Sequence, residues 1–316
     1  MDQLKAQLLL FADDLVLLAD SETGMQDSMN KLDEYCKLWE LEINAEKTKV
    51  VVFGKTRNPS AFKIGSKTIH CDTSYKYLGI ILTANGYFKS AILTLANQAN
   101  KTLFALMRGA SKLFFPKPSL LCHLFDSLVR PVTEYGSETW GYTQAEQLEI
   151  IHRKFCKFAL GVPRSATNLA SYGKLGRCPL ELRRKVQIIK YWLRITTDWT
   201  VSPLVKDACA LAMNNSLPWA KYIKSTLDNA GFSYVWLNPS QVDPQQISNE
   251  ISKRLTDQFK QSWLSELQNI SGKLRSYKEI KDDFKMESYL ELPPHLRIPI
   301  TKLRISSHAL RIETGR

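Results

Sequence analysis

Two short apolar runs, Leu8–Phe11 and Leu15–Ala19, flank Ala12-Asp13-Asp14 near the start of the chain. Continuous apolar runs of this length, bounded by a turn signal, suit buried strands. The pattern predicts a β-hairpin with its turn at 12–14. A helix follows. Ser21 suits an N-cap, and Met25, Met29, Leu32, Cys36 and Trp39 recur at spacings of 4, 3, 4 and 3, forming one apolar stripe. Asn44 is expected to end it, and the β-branched run Val50–Val52 to start a strand. Short β-like pieces come next: Phe62–Ile64, a Gly65-Ser66 turn, Thr68–His70, then Tyr77–Leu82.

Beyond Gly86 the period changes to that of a helix. Phe88, Ile92, Leu95, Ala99, Leu103, Leu106 and Leu113 fall near 3.6 spacing and predict a helix over 87–112. Pro116 and Pro118 break it, and a second helix is expected over 119–129. Tyr135–Gly141 reads as a turn, and 143–160 as a helix rich in apolar and basic groups. Residues 166–316 read as further helices, with breaks at Gly173–Pro179, Ser202-Pro203, Leu217-Pro218, Asn238–Pro244 and Pro293-Pro294. Arg183-Arg184-Lys185 leads into an apolar helix, Val186–Ile195, and Val235–Pro244 is the best linker candidate. The fold class is α+β: a small hairpin-and-helix region first, then a mostly helical remainder.

Composition narrows the classes. The 316 residues are 44% hydrophobic and 23% charged, which excludes a mainly disordered chain or a disulfide-stapled miniprotein. The six cysteines form no CxxC pair and suit reduced thiols, hence a nuclear or cytoplasmic setting. No apolar run approaches the roughly 20 residues of a membrane helix, so no membrane partner is expected. The net charge of +12 is uneven. Residues 1–60 carry 7 basic and 11 acidic groups; residues 61–130 carry 9 and 2. No acid lies between Asp72 and Asp126, while Lys89, Lys101, Arg108 and Lys112 occupy the polar faces of the predicted helix. A basic face without counter-charges suits a phosphate-rich partner; the plainer reading is a solvated surface.

The chemistry concentrates at Asp13 and Asp14. Two carboxylates at an apolar hairpin tip repel one another and lose hydration, so one should take up a proton unless a cation compensates. A hard, oxygen-seeking divalent ion such as Mg²⁺ is the natural compensation. Ala-Asp-Asp is also an ordinary turn sequence. His152 and Cys156 lie one helical turn apart, a spacing that suits a metal, but no partner pair is near and they read as structural.

With these residues in view, LLLFADDLVLLAD resembles the catalytic strand-turn-strand of reverse transcriptases, in the FADD form common in non-LTR (LINE-type) retrotransposons. Ile43–Lys49 with the following strand looks like that family's next palm motif, which implies that Lys47 sits near an incoming dNTP. Tyr75–Ile80 resembles its primer-grip hairpin, which implies that Lys76, Tyr77, Leu78 and Gly79 support a primer terminus. The segment LVRPVTEYGSETW resembles the start of its thumb. The resemblance thus covers residues up to about 165. It implies a partial palm over 1–85, a helical thumb over 86–165 that tracks RNA and DNA as a primer–template duplex, and a helical post-thumb region over 166–316. It also implies Mg or Mn at Asp13 and Asp14. Residues 303–315, with Arg304, His308 and Arg311, resemble a segment that precedes a Cys/His zinc unit in some members.

Two-metal phosphoryl transfer needs carboxylates from more than one backbone segment. In the resembling family a third carboxylate and the fingers lie upstream of the ADD turn. Here Asp2 would sit on the order of 35 Å from the turn along an extended strand, and Asp20 about 20 Å along the other. The expectation is a C-terminal fragment of the enzyme, cut at both ends, that is inactive alone but binds nucleic acid. The hairpin would be left with an exposed apolar edge prone to aggregation. The competing readings are a domesticated, non-catalytic protein-interaction module and a polymerase completed in trans.

Overall fold

The computed structural model describes residues 8–54, 61–270 and 274–308. The chain divides into two units: residues 1–91 with 202–210, and residues 92–201 with 211–316.

The first unit holds the β-structure. Strands β1 (Leu8–Phe11) and β2 (Asp14–Leu17) form an antiparallel hairpin in which Phe11 pairs with Asp14, so the turn is only Ala12 and Asp13. Helix α1 (Glu22–Leu38) begins as its sequence implies, with the Ser21 hydroxyl accepting from Gly24 N–H at 3.1 Å. It stops six residues before Asn44. Glu40 takes a left-handed φ of 55°, and Leu41 N–H bonds back to Cys36 C=O at 2.8 Å, closing a Schellman-type cap. Trp39 therefore leaves the stripe and is exposed, while Met29 and Cys36 are buried.

β3 (Val50–Val51) pairs in parallel with β6 (Cys71–Asp72), after the antiparallel pair β4 (Phe62–Ile64) and β5 (Lys67–Ile69). Met29, Val50, Phe62, Ile64 and Ile69 make a small core, with Leu17 and Met25 against it. Gln26 fixes α1 to β4: its amide donates to Lys63 C=O at 2.7 Å and accepts from Lys63 N–H at 3.0 Å. The expected strand Tyr77–Leu82 is two strands, β7 (Ser74–Tyr77) and β8 (Ile80–Thr83), with Leu78-Gly79 as the turn.

The apolar strands 8–17 are not the buried strands their composition suggests. Leu10 is 66% and Phe11 61% exposed. The hairpin is a two-stranded sheet by itself, and among the described residues no third strand extends it.

The second unit is helical. Helix α2 (Lys89–Lys112) buries Ile92, Leu95, Ala99, Leu103 and Leu106 as the periodicity requires, and leaves Leu113 exposed. Helix α3 (Pro118–Leu124) runs into a wide turn, Phe125–Val129, where Arg130 N–H reaches Phe125 C=O, before α4 (Arg130–Glu134). Pro131 has no N–H to continue the regular ladder, which accounts for the widening. The supposed turn at 135–141 contains a short helix, α5 (Ser137–Trp140), anchored by Trp140 Nε1 donating to Tyr135 C=O at 2.9 Å.

Helix α6 (Glu146–Leu160) ends at Gly161 in the left-handed region, and α7 (Asn168–Leu175) at Gly176 likewise. Helix α8 (Leu180–Thr197) already includes Arg183–Lys185. Prolines start α9 (Pro203–Asn214), whose residues 203–210 belong to the first unit, and α10 (Pro218–Ala230), as suits a residue whose missing N–H has no partner there anyway. The expected linker 235–244 is folded: α11 (Ser233–Leu237) buries Val235, and Trp236 stacks on Trp192 with centroids 5.1 Å apart. Helix α12 (Pro244–Asn269) lies along α8. It joins Ala170, Leu274, Tyr277 and Ile305 in a core through Trp263 and Leu267, next to α13 (Arg275–Ile280). Helix α14 (Pro294–Arg304) is the last element described. The architecture is thus α+β, mostly helical, with small β-hairpins at the N-terminus.

Candidate active site

Asp13 and Asp14 occupy the tip of the β1–β2 hairpin and are both exposed. Ala12 holds φ at 53°. A positive φ at the first of two turn residues is a position where hairpins prefer glycine, so the backbone here is strained by the order of 1 kcal/mol. The consequence is geometric: Asp13 stands in the turn and Asp14 on the first residue of β2, both open to solvent. The burial cost expected for adjacent carboxylates in an apolar hairpin is absent, because water reaches them.

Their donor chemistry suits a hard divalent cation. Two adjacent carboxylates are nonetheless a partial ligand set for a two-ion site. Among the described residues no group of three or more His, Cys, Asp or Glu side chains is arranged to hold a metal. Asp2 lies outside the described residues.

Lys47 is exposed in the loop before β3, where its N–H bonds to Asn44 Oδ1 at 3.1 Å. No hydrogen bond or ion pair joins it to Asp13 or Asp14 among the described residues. Lys76 is exposed on β7, and Tyr77 is half-buried at the strand end. Leu78 (φ 45°) and Gly79 (φ 88°) form a two-residue turn with positive φ at both positions. Gly79 suits that turn; leucine does not, and Leu78 is a second strained tip residue in this unit.

On α2, Lys89, Lys101, Arg108 and Lys112 are all exposed, and none is ion-paired among the described residues. Lys101, Arg108 and Lys112 are spaced by 7 and 4, so they share one face; Lys89 lies off it. Phe104 belongs to that face. The ammonium of Lys154, from α6, sits 3.6 Å over its ring and near Asn100. Burial lowers the pKa of Lys154 from its ordinary range.

The charges that the sequence scan passed over are inside the helical unit. Arg177 forms a two-pronged pair with Asp126 at 2.6 and 3.1 Å and donates from Nε to His152 Nε2 at 3.0 Å. Burial holds the pKa of His152 well below the usual histidine range, so the neutral ring accepts that bond. Its other faces meet Phe125 and Tyr172. Burial also raises the Cys156 thiol. Both side chains are buried in the packed core. A cleft of about 360 Å³ opens beside it, lined by Asp126, Arg130, Arg177, Arg183 and Lys190 among others. Its arginines are largely answered from within, by Asp126 and by Glu134.

Comparison with known proteins agrees with the motif order. Residues 1–82 match the reverse transcriptase (RNA-dependent DNA polymerase) family. The chain is 30% identical over 162 residues to a transposon-derived protein of Caenorhabditis elegans, covering 49% of this chain and 56% of that protein. It is 29% identical over 167 residues to the RNA-directed DNA polymerase from the mobile element jockey of Drosophila melanogaster, covering 48% and 18% respectively. It is 24% identical over 170 residues to a fly polymerase from transposon X-element, covering 50% and 18%. No solved structure gives a significant match. Residues 1–82 are thus similar to reverse transcriptases. The chain is similar to RNA-directed DNA polymerases of mobile elements, and it spans about half of the worm protein and less than a fifth of the fly enzymes.

Proposed function

We propose that residues 1–85 are part of a reverse transcriptase palm and that Asp13 and Asp14 are its metal-binding pair. The observation that carries this reading is an exposed Asp-Asp pair on a strained hairpin tip, within the segment that matches the family. When bound, Mg²⁺ or Mn²⁺ at these carboxylates would supply charge for the phosphates of an incoming dNTP. Lys47 would add a cation near the triphosphate. Lys76, Tyr77, Leu78 and Gly79 would meet the primer end, where glycine permits close backbone approach. Helix α2 and the rest of 86–165 act as a thumb whose Lys89, Lys101, Arg108 and Lys112 contact the duplex backbone, positioning it without reading sequence. Residues 166–316 are the post-thumb region.

Residues 1–316 alone bind primer–template but do not extend it, because the described carboxylates do not complete a two-ion site. Primer extension on an RNA template with Mg²⁺ tests this, run beside Asp13→Ala/Asp14→Ala and with filter binding on the same samples. Binding without extension is expected. Template-directed incorporation that depends on Asp13 would overturn the incompetence while supporting the metal site. Affinity that is unchanged between low and moderate salt would overturn the basic-face reading, since each neutralised phosphate contributes about −0.9 to the salt slope.

A further inference from the structure

The loop that ends α2 carries an aromatic residue that neither backbone nor core explains. Phe114 is 89% exposed. Its φ is 54°, and that of Phe115 is 56°. Phe115 N–H bonds to Ala110 C=O at 3.2 Å, the long bond of a Schellman-type cap, which puts Phe114 at the position where glycine is favoured. Three other non-glycine residues occupy such a cap position among the described residues. They are Glu40, Ser216 and Ser306, all polar. Phe114 is the one large apolar residue in the set, and it gains almost no burial in exchange.

The surroundings hold the loop in place from behind. Phe115 packs against Phe158, with tilted rings and centroids 5.4 Å apart. The buried Arg297 donates to both Phe115 C=O and Pro116 C=O at 2.8 Å. A strained loop, fixed by a buried arginine, thus displays Phe114 beside Leu113, itself exposed. Strain that persists because its neighbours over-determine it is a marker of a working position.

What the knuckle meets follows from the helix leading to it. Lys101, Phe104, Arg108 and Lys112 fall at i, i+3, i+7 and i+11 on one face of α2, about 16 Å of helix ending at the knuckle. A cationic stripe with an apolar tip complements a polyanion that also offers flat apolar faces: phosphates along the stripe, a base at the tip. We propose that Phe114, with Leu113 beside it, is a stacking wedge for an unpaired base at the end of a nucleic acid held along α2. This rests on the basic-face reading above and adds the subsite at its end.

The test uses the full chain and a short RNA–DNA duplex ending in one unpaired 2-aminopurine, whose fluorescence falls on stacking. Wild type is expected to bind at low salt with quenching. Phe114→Gly is expected to bind roughly 5- to 150-fold more weakly, to lose the quenching, and to melt no lower than wild type, since glycine suits the left-handed cap. Phe114→Trp should keep both affinity and quenching. If Phe114→Gly binds and quenches like wild type while Arg108→Glu/Lys112→Glu weakens binding, the wedge is wrong and the basic face stands. If wild type itself does not bind, the basic-face reading falls and takes the wedge with it.

Discussion

The two units of this protein use charge in opposite ways. In the N-terminal unit the carboxylates that matter, Asp13 and Asp14, are open to water on a strained two-residue turn. Among the described residues the core cluster of this unit is small, built on Met29, Val50, Phe62, Ile64 and Ile69. In the helical unit, apart from the open basic face of α2, the charges named below are inside. Glu149 accepts from Leu180 N–H, Glu181 N–H and the buried Arg184 at 2.8–3.1 Å, capping α8. Lys174, with no exposed surface, shares Glu287 with Arg304 and Lys281. One unit leaves its adjacent carboxylates open to water; the other locks Glu149, Lys174 and Glu287 into packing and keeps open cations on α2. The contrast separates charges that can meet a ligand from charges that hold the fold.

The strongest way to break that contrast is Glu149→Ala. It leaves Arg184 buried without its partner and α8 without its cap, so a loss of about 3–5 kcal/mol is expected in urea unfolding followed by tryptophan fluorescence. In the smaller core, Ile69→Ala removes a fully buried side chain. A loss of roughly 2–5 kcal/mol should appear as faster proteolysis within residues 8–83.

Lys174 sharpens the comparison through pH. Burial pulls its pKa down from 10.5 to about 8, against the pull of Glu287. Between those values the unfolded chain holds the proton more than the folded one, so this group makes stability rise with pH from about 8 towards 10. The urea midpoint of wild type should climb across that window, and Lys174→Met should flatten the climb. Ala12→Gly relieves the positive φ at the hairpin tip and should slow amide exchange in β1 and β2, by about 1 kcal/mol in local stability. Smallest is Leu10→Lys: the side chain is already exposed, so stability should shift by less than about 0.5 kcal/mol. Self-association measured by light scattering should fall, because the substitution charges an open apolar hairpin.

Much of the helical structure was legible along the chain. The stripe from Ile92 to Leu106 is buried as its period requires, Ser21 caps α1, and helices start at Pro203, Pro218, Pro244 and Pro294. These signals are local: a period, a hydroxyl three residues from an N–H, a ring without a donor. The motif order over residues 8–82 was legible too, and the family match covers the same stretch. The failures share a cause. The runs at 8–19 look buried because apolar sequence cannot state whether another element covers it. The linker at 235–244 looks loose because the contact that folds it, Trp236 on Trp192, spans more than forty residues.

The sequence by itself determined most of the long helices, the proline and glycine breaks, the Asp-Asp turn and the cationic run without acids between Asp72 and Asp126. Each follows from neighbours within a few residues, where backbone geometry and periodicity act. Only the tertiary structure decided which charges are answered and which are free: Asp126 with Arg177, 51 residues apart, and Lys174 with Glu287, 113 apart, against Arg108 and Lys112 left open to solvent. It also decided that Phe114 faces water from a strained cap. Pairing and exposure depend on what distant segments bring to a side chain, and chain closure over such distances leaves no mark in a local pattern.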